Sequence, residues 1–298
     1  MPESRDRMSP TKAQALSFHL EDSRAFSSTN KALRTAREGK QMLMNAAQLE
    51  GFVIRATDGE LGHVKQFYFD DETWAIRYLV VNTGGWLDDR EVLISPVSVI
   101  ATDWQGKTID VALTKRQVEA SPDIDTHRPV SRQDEAAYLG YYGYPYYWGF
   151  YPLGVAEPVN NFNSELLAER IRRESTDSHL RSVQAVTGYH IEATDGEIGH
   201  VDGFVLDDET WDIRYMEVAT RNWLPGKKVL VAPSWIQRVS WSDSTVYVGL
   251  SCEAMQAAPD FDKSAPITRD YEDRLYAYYG RAPYWLQHGH GEPVLRRY

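Results

Sequence analysis

The side chains able to do chemistry come in pairs. His63 and His200 occupy the same place in two copies of one octapeptide, Thr57-Asp58-Gly59-Glu60-Leu61-Gly62-His63-Val64 and Thr194-Asp195-Gly196-Glu197-Ile198-Gly199-His200-Val201. Imidazole titrates near neutrality, so strand histidines could relay protons; the plainer role is one structural hydrogen bond each, and nothing else in the octapeptide supports a relay. The acidic runs Asp70-Asp71-Glu72 and Asp207-Asp208-Glu209 could attract a cation. A Ca²⁺ site needs about six to eight oxygens from a shaped loop. Three adjacent carboxylates do not converge that way, and these runs read as solvated turns. Arg77 and Arg214 fall on strands, on a parity expected to face inward. A buried guanidinium requires a partner, so Arg77 is expected to pair with Asp70 or Asp71, and Arg214 with Asp207 or Asp208, pinning turn to strand. His288-Gly289-His290 supplies two metal ligands without a third. Cys252 has no pattern of a nucleophile around it, and no Gly-x-Ser-x-Gly, phosphate-binding glycine loop or His-Glu-x-x-His occurs. No catalytic residue, cofactor or metal is expected, and the chain reads as a non-enzyme.

These residues are positioned by a duplication. Asp70-Asp71-Glu72-Thr73-Trp74 returns as Asp207-Asp208-Glu209-Thr210-Trp211, and Ile76-Arg77-Tyr78 as Ile213-Arg214-Tyr215, always 137 residues on. From Gly51 to Leu113 against Gly188 to Leu250, 30 of 63 positions are identical without a gap. A fixed-offset repeat of this length means two copies of one folding unit.

The bulk properties narrow the function classes. At 298 residues the chain holds two domains. Its net charge of −11 counts against nonspecific nucleic-acid binding and against a polybasic membrane anchor. One cysteine cannot form an internal disulfide, so a reducing, cytoplasmic setting is expected. The first 30 residues lack the apolar core of a secretory signal. Residues 136–156 carry no charge, but their prolines and glycines break any spanning helix; peripheral membrane contact through the aromatic rings is the remaining membrane option.

Each unit reads as mostly strand, with Asp58-Gly59 as a hairpin turn. Gly51–Ala56, Leu61–Phe69, Trp74–Thr83, Glu91–Ile100 and Thr108–Leu113 are the expected strands, Pro96 lying at a bulge or end. Five or six short antiparallel strands bury themselves by closing into a small barrel without free edges. The organisation expected is an N-terminal arm (1–42), a first barrel with a Tyr-rich extension (43–148), a linker with a short helix from Glu165 to Arg173 (149–179), a second barrel with its extension (180–285) and a tail (286–298). Leu79/Met216 and Val81/Val218 stay apolar and should face inward. Val80/Glu217, Arg55/Glu192 and Lys65/Asp202 change character and should lie on outer surface, where one of these pairs could bridge the barrels. An outward Val80 needs a cover.

The aromatic segment Tyr138, Tyr141, Tyr142, Tyr144, Tyr146, Tyr147, Trp148 is echoed by Tyr276, Tyr278, Tyr279, Tyr284, Trp285. Such side chains favour interfaces. A repeated feature is first a structural one, each segment wrapping its barrel; as the second reading, Tyr141, Tyr142, Tyr144, Tyr147, Trp148, Tyr278, Tyr279 and Trp285 form, with Val80, the candidate interaction surface.

The pattern Asp-Gly-Glu-(Leu/Ile)-Gly-x-Val, then Asp-Asp-x-x-Trp-x-Ile-Arg-Tyr, then Val-Leu-(Ile/Val)-x-Pro resembles the PRC-barrel domain. That domain is named for the cytoplasmic part of the photosynthetic reaction-centre H subunit and also forms the C-terminal half of a 16S rRNA maturation factor. The resemblance covers both repeats and implies a mainly β fold of two tandem antiparallel barrels. It departs from the H subunit in lacking an N-terminal membrane helix, and from the maturation factor in its acidic charge and missing partner domain. It implies a bacterial, stress-associated binding or scaffold protein that associates with a protein partner or with itself as a homo-oligomer. The alternatives it leaves are a peripheral partner of a membrane electron-transfer complex and a ribosome or RNA maturation factor.

Overall fold

The computed structural model describes residues 42–126, 129–147, 179–220 and 228–287. The N-terminal arm up to residue 41, the helix expected at Glu165–Arg173, Trp148 and the His288–His290 motif lie outside the described residues.

The first repeat opens with β1 (Leu43–Asn45) and a turn of helix, α1 (Ala46–Leu49), capped by the Asn45 side chain. β2 (Val53–Ala56), β3 (Gly59–Asp70), β4 (Ala75–Asn82) and β5 (Glu91–Ile94) follow, then β6 (Val99–Asp103), β7 (Thr108–Val111) and α2 (Lys115–Glu119). The sheet order is β5-β4-β3-β2-β7-β6. Two expectations are corrected here. The expected fourth strand breaks in two, because Pro96 opens a 3₁₀ turn, Pro96–Ser98, that folds β6 away from β5. The ladder therefore stays open at β5 and β6. The sheet is also mixed rather than purely antiparallel, since β2 and β7 run parallel. The second repeat reproduces this with β8 (Leu180–Ser182), α4 (Val183–Val186), β9 (His190–Ala193), β10 (Gly196–Asp207), β11 (Ile213–Thr220), β12 (Lys228–Val231), β13 (Ile236–Ser240), β14 (Thr245–Val248) and α5 (Cys252–Gln256), in the order β12-β11-β10-β9-β14-β13. The helix between the repeats, α3 (Arg132–Tyr142), has its counterpart in α6 (Arg269–Tyr279); α7 (Tyr284–Gln287) follows.

Each sheet curls around its own apolar side chains. Ile54, Leu61, Phe67, Leu79, Val81, Ile94 and Ile109 are fully buried in the first. Sharp curvature needs close backbone approach, and Gly62 allows it: its φ is +143°, and a Cβ there would sit 1.9 Å from the Asn82 carbonyl oxygen. The inward parity expected for Leu79 and Val81 is observed, but Arg77 does not share it. A bulge between the pairs Tyr68↔Tyr78 and Phe69↔Ile76 turns Ile76 into the core and Arg77 out of it. The same bulge occurs at Arg214.

The repeats exchange arms. β1 pairs with β10 of the second sheet, and β8 pairs with β3 of the first. Between them, Ile76 N–H donates to the Trp211 carbonyl and Ile213 N–H to the Trp74 carbonyl, both at 2.8 Å. Trp74 and Trp211 adopt left-handed backbone, φ 57° and 58°. A bulky residue there carries strain, which these reciprocal bonds and the ring contacts Phe67–Trp211 and Trp74–Phe204 offset. One hydrophobic core runs through both sheets across this internal pseudo-twofold.

Candidate functional site

Two grooves flank the pseudo-twofold, built from equivalent positions. The first lies between the arm of the second repeat and the edge strand β13. Asp71, Glu72, His179 and Arg181 form one wall, and Gln237, Arg238 and Trp241 the other; its volume is about 440 Å³. The second, between the arm of the first repeat and β6, shrinks to about 10 Å³, with Met44, Leu49, Thr102 and Trp104 packed together at its walls. The sequence differences explain this. Met44 of the closed groove and Ala101, next to its Thr102 on β6, correspond to Arg181 and Arg238 of the open one. Two guanidiniums do not desolvate against each other without carboxylates between them, whereas Met fills an irregular gap.

The open groove is electrostatically organised. Asp71 accepts from Arg181 Nε at 2.7 Å and lies 3.2 Å from His179 Nδ1; Glu72 lies 3.7 Å from the same nitrogen. The Arg181 guanidinium stacks on Trp241 at 4.4 Å and that of Arg238 on Tyr247 at 3.4 Å. Stacking leaves the in-plane N–H groups of a guanidinium available to an anion.

Each extension helix lies over the outer face of its barrel and buries a carboxylate. Ser131 caps α3 reciprocally with Asp134, and Gly143 ends it in left-handed conformation. Glu135 accepts from Tyr147 at 2.5 Å, Arg132 at 3.1 Å and Tyr78 at 3.2 Å. Arg132 also reaches Asp70 at 3.4 Å. Burial pushes the Glu135 carboxyl up to about 7 against the opposing pull of Arg132. In the second repeat Glu272 accepts from Tyr215 at 2.7 Å and Tyr284 at 3.0 Å and pairs with Arg269 at 2.9 Å; burial raises it too. Sequence reasoning did not single out these residues. The signal was present, since Arg132 and Glu135 recur as Arg269 and Glu272 at the same offset of 137 and share one helix face.

The structure disperses the other expected groups. Arg214 binds Asp207 through Nε at 3.0 Å and Nη2 at 2.7 Å and meets Asp212 at 3.2 Å. In the first repeat Arg132 reaches Asp70, while Arg77 donates to Thr73 Oγ1 at 3.0 Å and lies over the Tyr147 ring. Asp70 and Asp207 accept backbone N–H bonds inside their own turns, and Asp208 receives the Met42 N–H at 3.0 Å. His63 is exposed and His200 half-buried, both on the order of 20 Å along the strand from the acidic turn. Cys252 is buried, its thiol pushed up to about 11 by burial, with Asp195 adding to the shift. Among the described residues no cluster of three or more His, Cys, Asp or Glu could hold a metal, and no helix is long and apolar enough to cross a membrane.

The expected interaction surface is corrected at several residues. Val80 is fully buried under α3 among Tyr78, Tyr138 and Leu139, so it offers nothing to a partner. Tyr142, Tyr144 and Tyr147 pack on that same cluster, and Tyr279 and Trp285 pack around Trp235 and Tyr276 in the second repeat. Among the described members of the set only Tyr141 and Tyr278 are exposed, and their hydroxyls bond Gln117 and Ala254 carbonyls of their own repeats. The positions that change character do not bridge the barrels as a matched pair. Lys65 pairs with Glu91, and at the equivalent places Asp202 pairs with Lys228, the same ion pair with polarity reversed. Arg55 pairs with Asp110 in its own repeat. Glu217 is fully buried, not surface; it is held by Lys263 and by Asn45 from the exchanged arm.

Residues 43–117 match the family described as the PRC-barrel domain. A search of curated proteins finds no match to the chain. The matched segment spans β1 through most of α2, and the second repeat carries the same strands in the same order. The first repeat is thus a PRC-barrel domain over residues 43–117.

Proposed function

We propose that the protein is a non-enzymatic binding module that docks another protein in the open groove between its barrels. The observation that carries this is the asymmetry of the two grooves: one is packed shut by the chain's own Met44, while its twin presents Arg238, Trp241 and Glu72 around about 440 Å³. The chemistry around it is suited to recognition rather than turnover. Its carboxylate Asp71 is tied to Arg181, and the carboxyl pushed up to about 7, Glu135, is buried beneath α3. The bacterial, cytoplasmic setting and the role as a stress-associated scaffold belong to the same reading; a single buried thiol is compatible with a reducing compartment.

The test is capture from a bacterial lysate on immobilised full-length chain, compared between wild type, Trp241→Ala and an Arg55→Ala control. A protein retained by wild type and Arg55→Ala but lost with Trp241→Ala supports the reading. A bound set that Trp241→Ala leaves unchanged overturns it.

A further inference from the structure

We propose that the open groove receives an extended acidic peptide strand, which adds to the free edge of β13 and sets a carboxylate between Arg238 and the outer nitrogens of Arg181. The proposal rests on the reading of the chain as a protein-binding module and names the partner's chemistry.

Three observations converge. First, β13 ends its sheet: it pairs with β14 on one side, and among the described residues no strand pairs with the other. An unpaired edge presents main-chain donors and acceptors to an added strand. Second, Arg238 and the outer nitrogens of Arg181 face no carboxylate of the groove. Asp71 engages Arg181 through Nε alone, and Arg238 stacks on Tyr247 with no carboxylate partner among the described residues. A guanidinium held by a ring accepts a carboxylate in its plane. Third, the closed twin shows what such a groove accommodates, since Met44 fills the equivalent space beside Trp104. The strand therefore carries an acidic residue for Arg238 next to an aliphatic one for Trp241. A nucleic-acid strand would leave the β13 edge unpaired, since it carries no peptide groups to add to the ladder.

The probe is a short fluorescein-labelled peptide alternating valine and glutamate, followed by anisotropy with the full chain; a valine–lysine peptide and a single-stranded oligothymidine serve as comparators. Saturable binding of the glutamate peptide below about 1 mM, weakened about tenfold or more by Arg238→Glu with the melting temperature unchanged, is expected. No saturation below that concentration, equal binding of the lysine peptide, tighter binding of the oligothymidine, or indifference to Arg238→Glu would each overturn it. So would light scattering that shows a dimer dispersed by Arg238→Glu, since the groove would then hold a second copy. If the peptide fails while Trp241→Ala still abolishes capture of a protein, the binding-module reading stands and the acidic-strand inference falls.

Discussion

Position 80 and its twin, position 217, occupy the same place on the same strand, and both are fully buried, one as valine and the other as glutamate. What differs is the layer above. Over Val80 lie Tyr78, Tyr138 and Leu139, and the places equivalent to Lys263 and Asn45 are held by Thr126 and Ser182. Over Glu217 stand Lys263 and Asn45. One strand scaffold thus tolerates either an oily or an ionic outer layer, provided the layer is complete. The grooves teach the same rule from the other side: where the layer is incomplete, as at Arg181 and Arg238, the scaffold leaves a gap.

The sharpest way to break this comparison is to transplant one partner without the rest. Val80→Glu places a carboxylate among tyrosines without a lysine, and should cost more than about 4 kcal/mol in urea unfolding; a loss below about 1 kcal/mol would show that α3 is not a sealed layer. Next comes the arginine beneath each extension helix. Arg132 is 3% exposed and serves two buried carboxylates, whereas Arg269 is 41% exposed. Arg132→Met should cost about 3–4 kcal/mol and Arg269→Met about 1 kcal/mol or less; equal losses would erase the distinction.

A pH series probes the first of these clusters. Glu135 titrates about pH 7 in the folded chain against an ordinary value of 4.5, so the folded state holds the proton more tightly. The stability this gives is full below about pH 4.5 and is lost as pH rises through about 7, up to about 3 kcal/mol in all. Glu135→Gln should flatten that part of the profile; a slope identical to wild type would remove Glu135 as its source. The smallest effect belongs to Arg55, whose ion pair with Asp110 is exposed. Arg55→Ala should move the midpoint by no more than about 0.5 kcal/mol.

The duplicated strands, the acidic turns and the inward faces of Leu79 and Val81 were legible because a period of two and a fixed offset are local signals. The bulge at Arg77 was not, since one inserted residue leaves no mark on the apolar pattern until the partner strand is known. β1 and β8 are three residues long, too short for any periodicity, and their partners lie more than a hundred residues away. The parallel β2–β7 pair likewise depends on distant register. Of the candidate site, the tyrosines and arginines were visible as residue types. The groove was not, because it arises from what Arg181 and Arg238 fail to fill.

The arm exchange carries a consequence for how the chain holds itself together. Each half keeps a strand that the other half's sheet requires, so the exchanged strands, and not the peptide link between the halves alone, hold them together. A single nick there turns one chain into a clasped heterodimer whose halves part only when two sheets lose a strand at once. Such a nicked protein should run through a sizing column at the mass of the intact chain, separate into two pieces only in denaturant, and, once diluted apart, reassemble at a rate that depends on concentration. Halves that drift apart on the column without denaturant would show that the clasp is weaker than the bond it replaces.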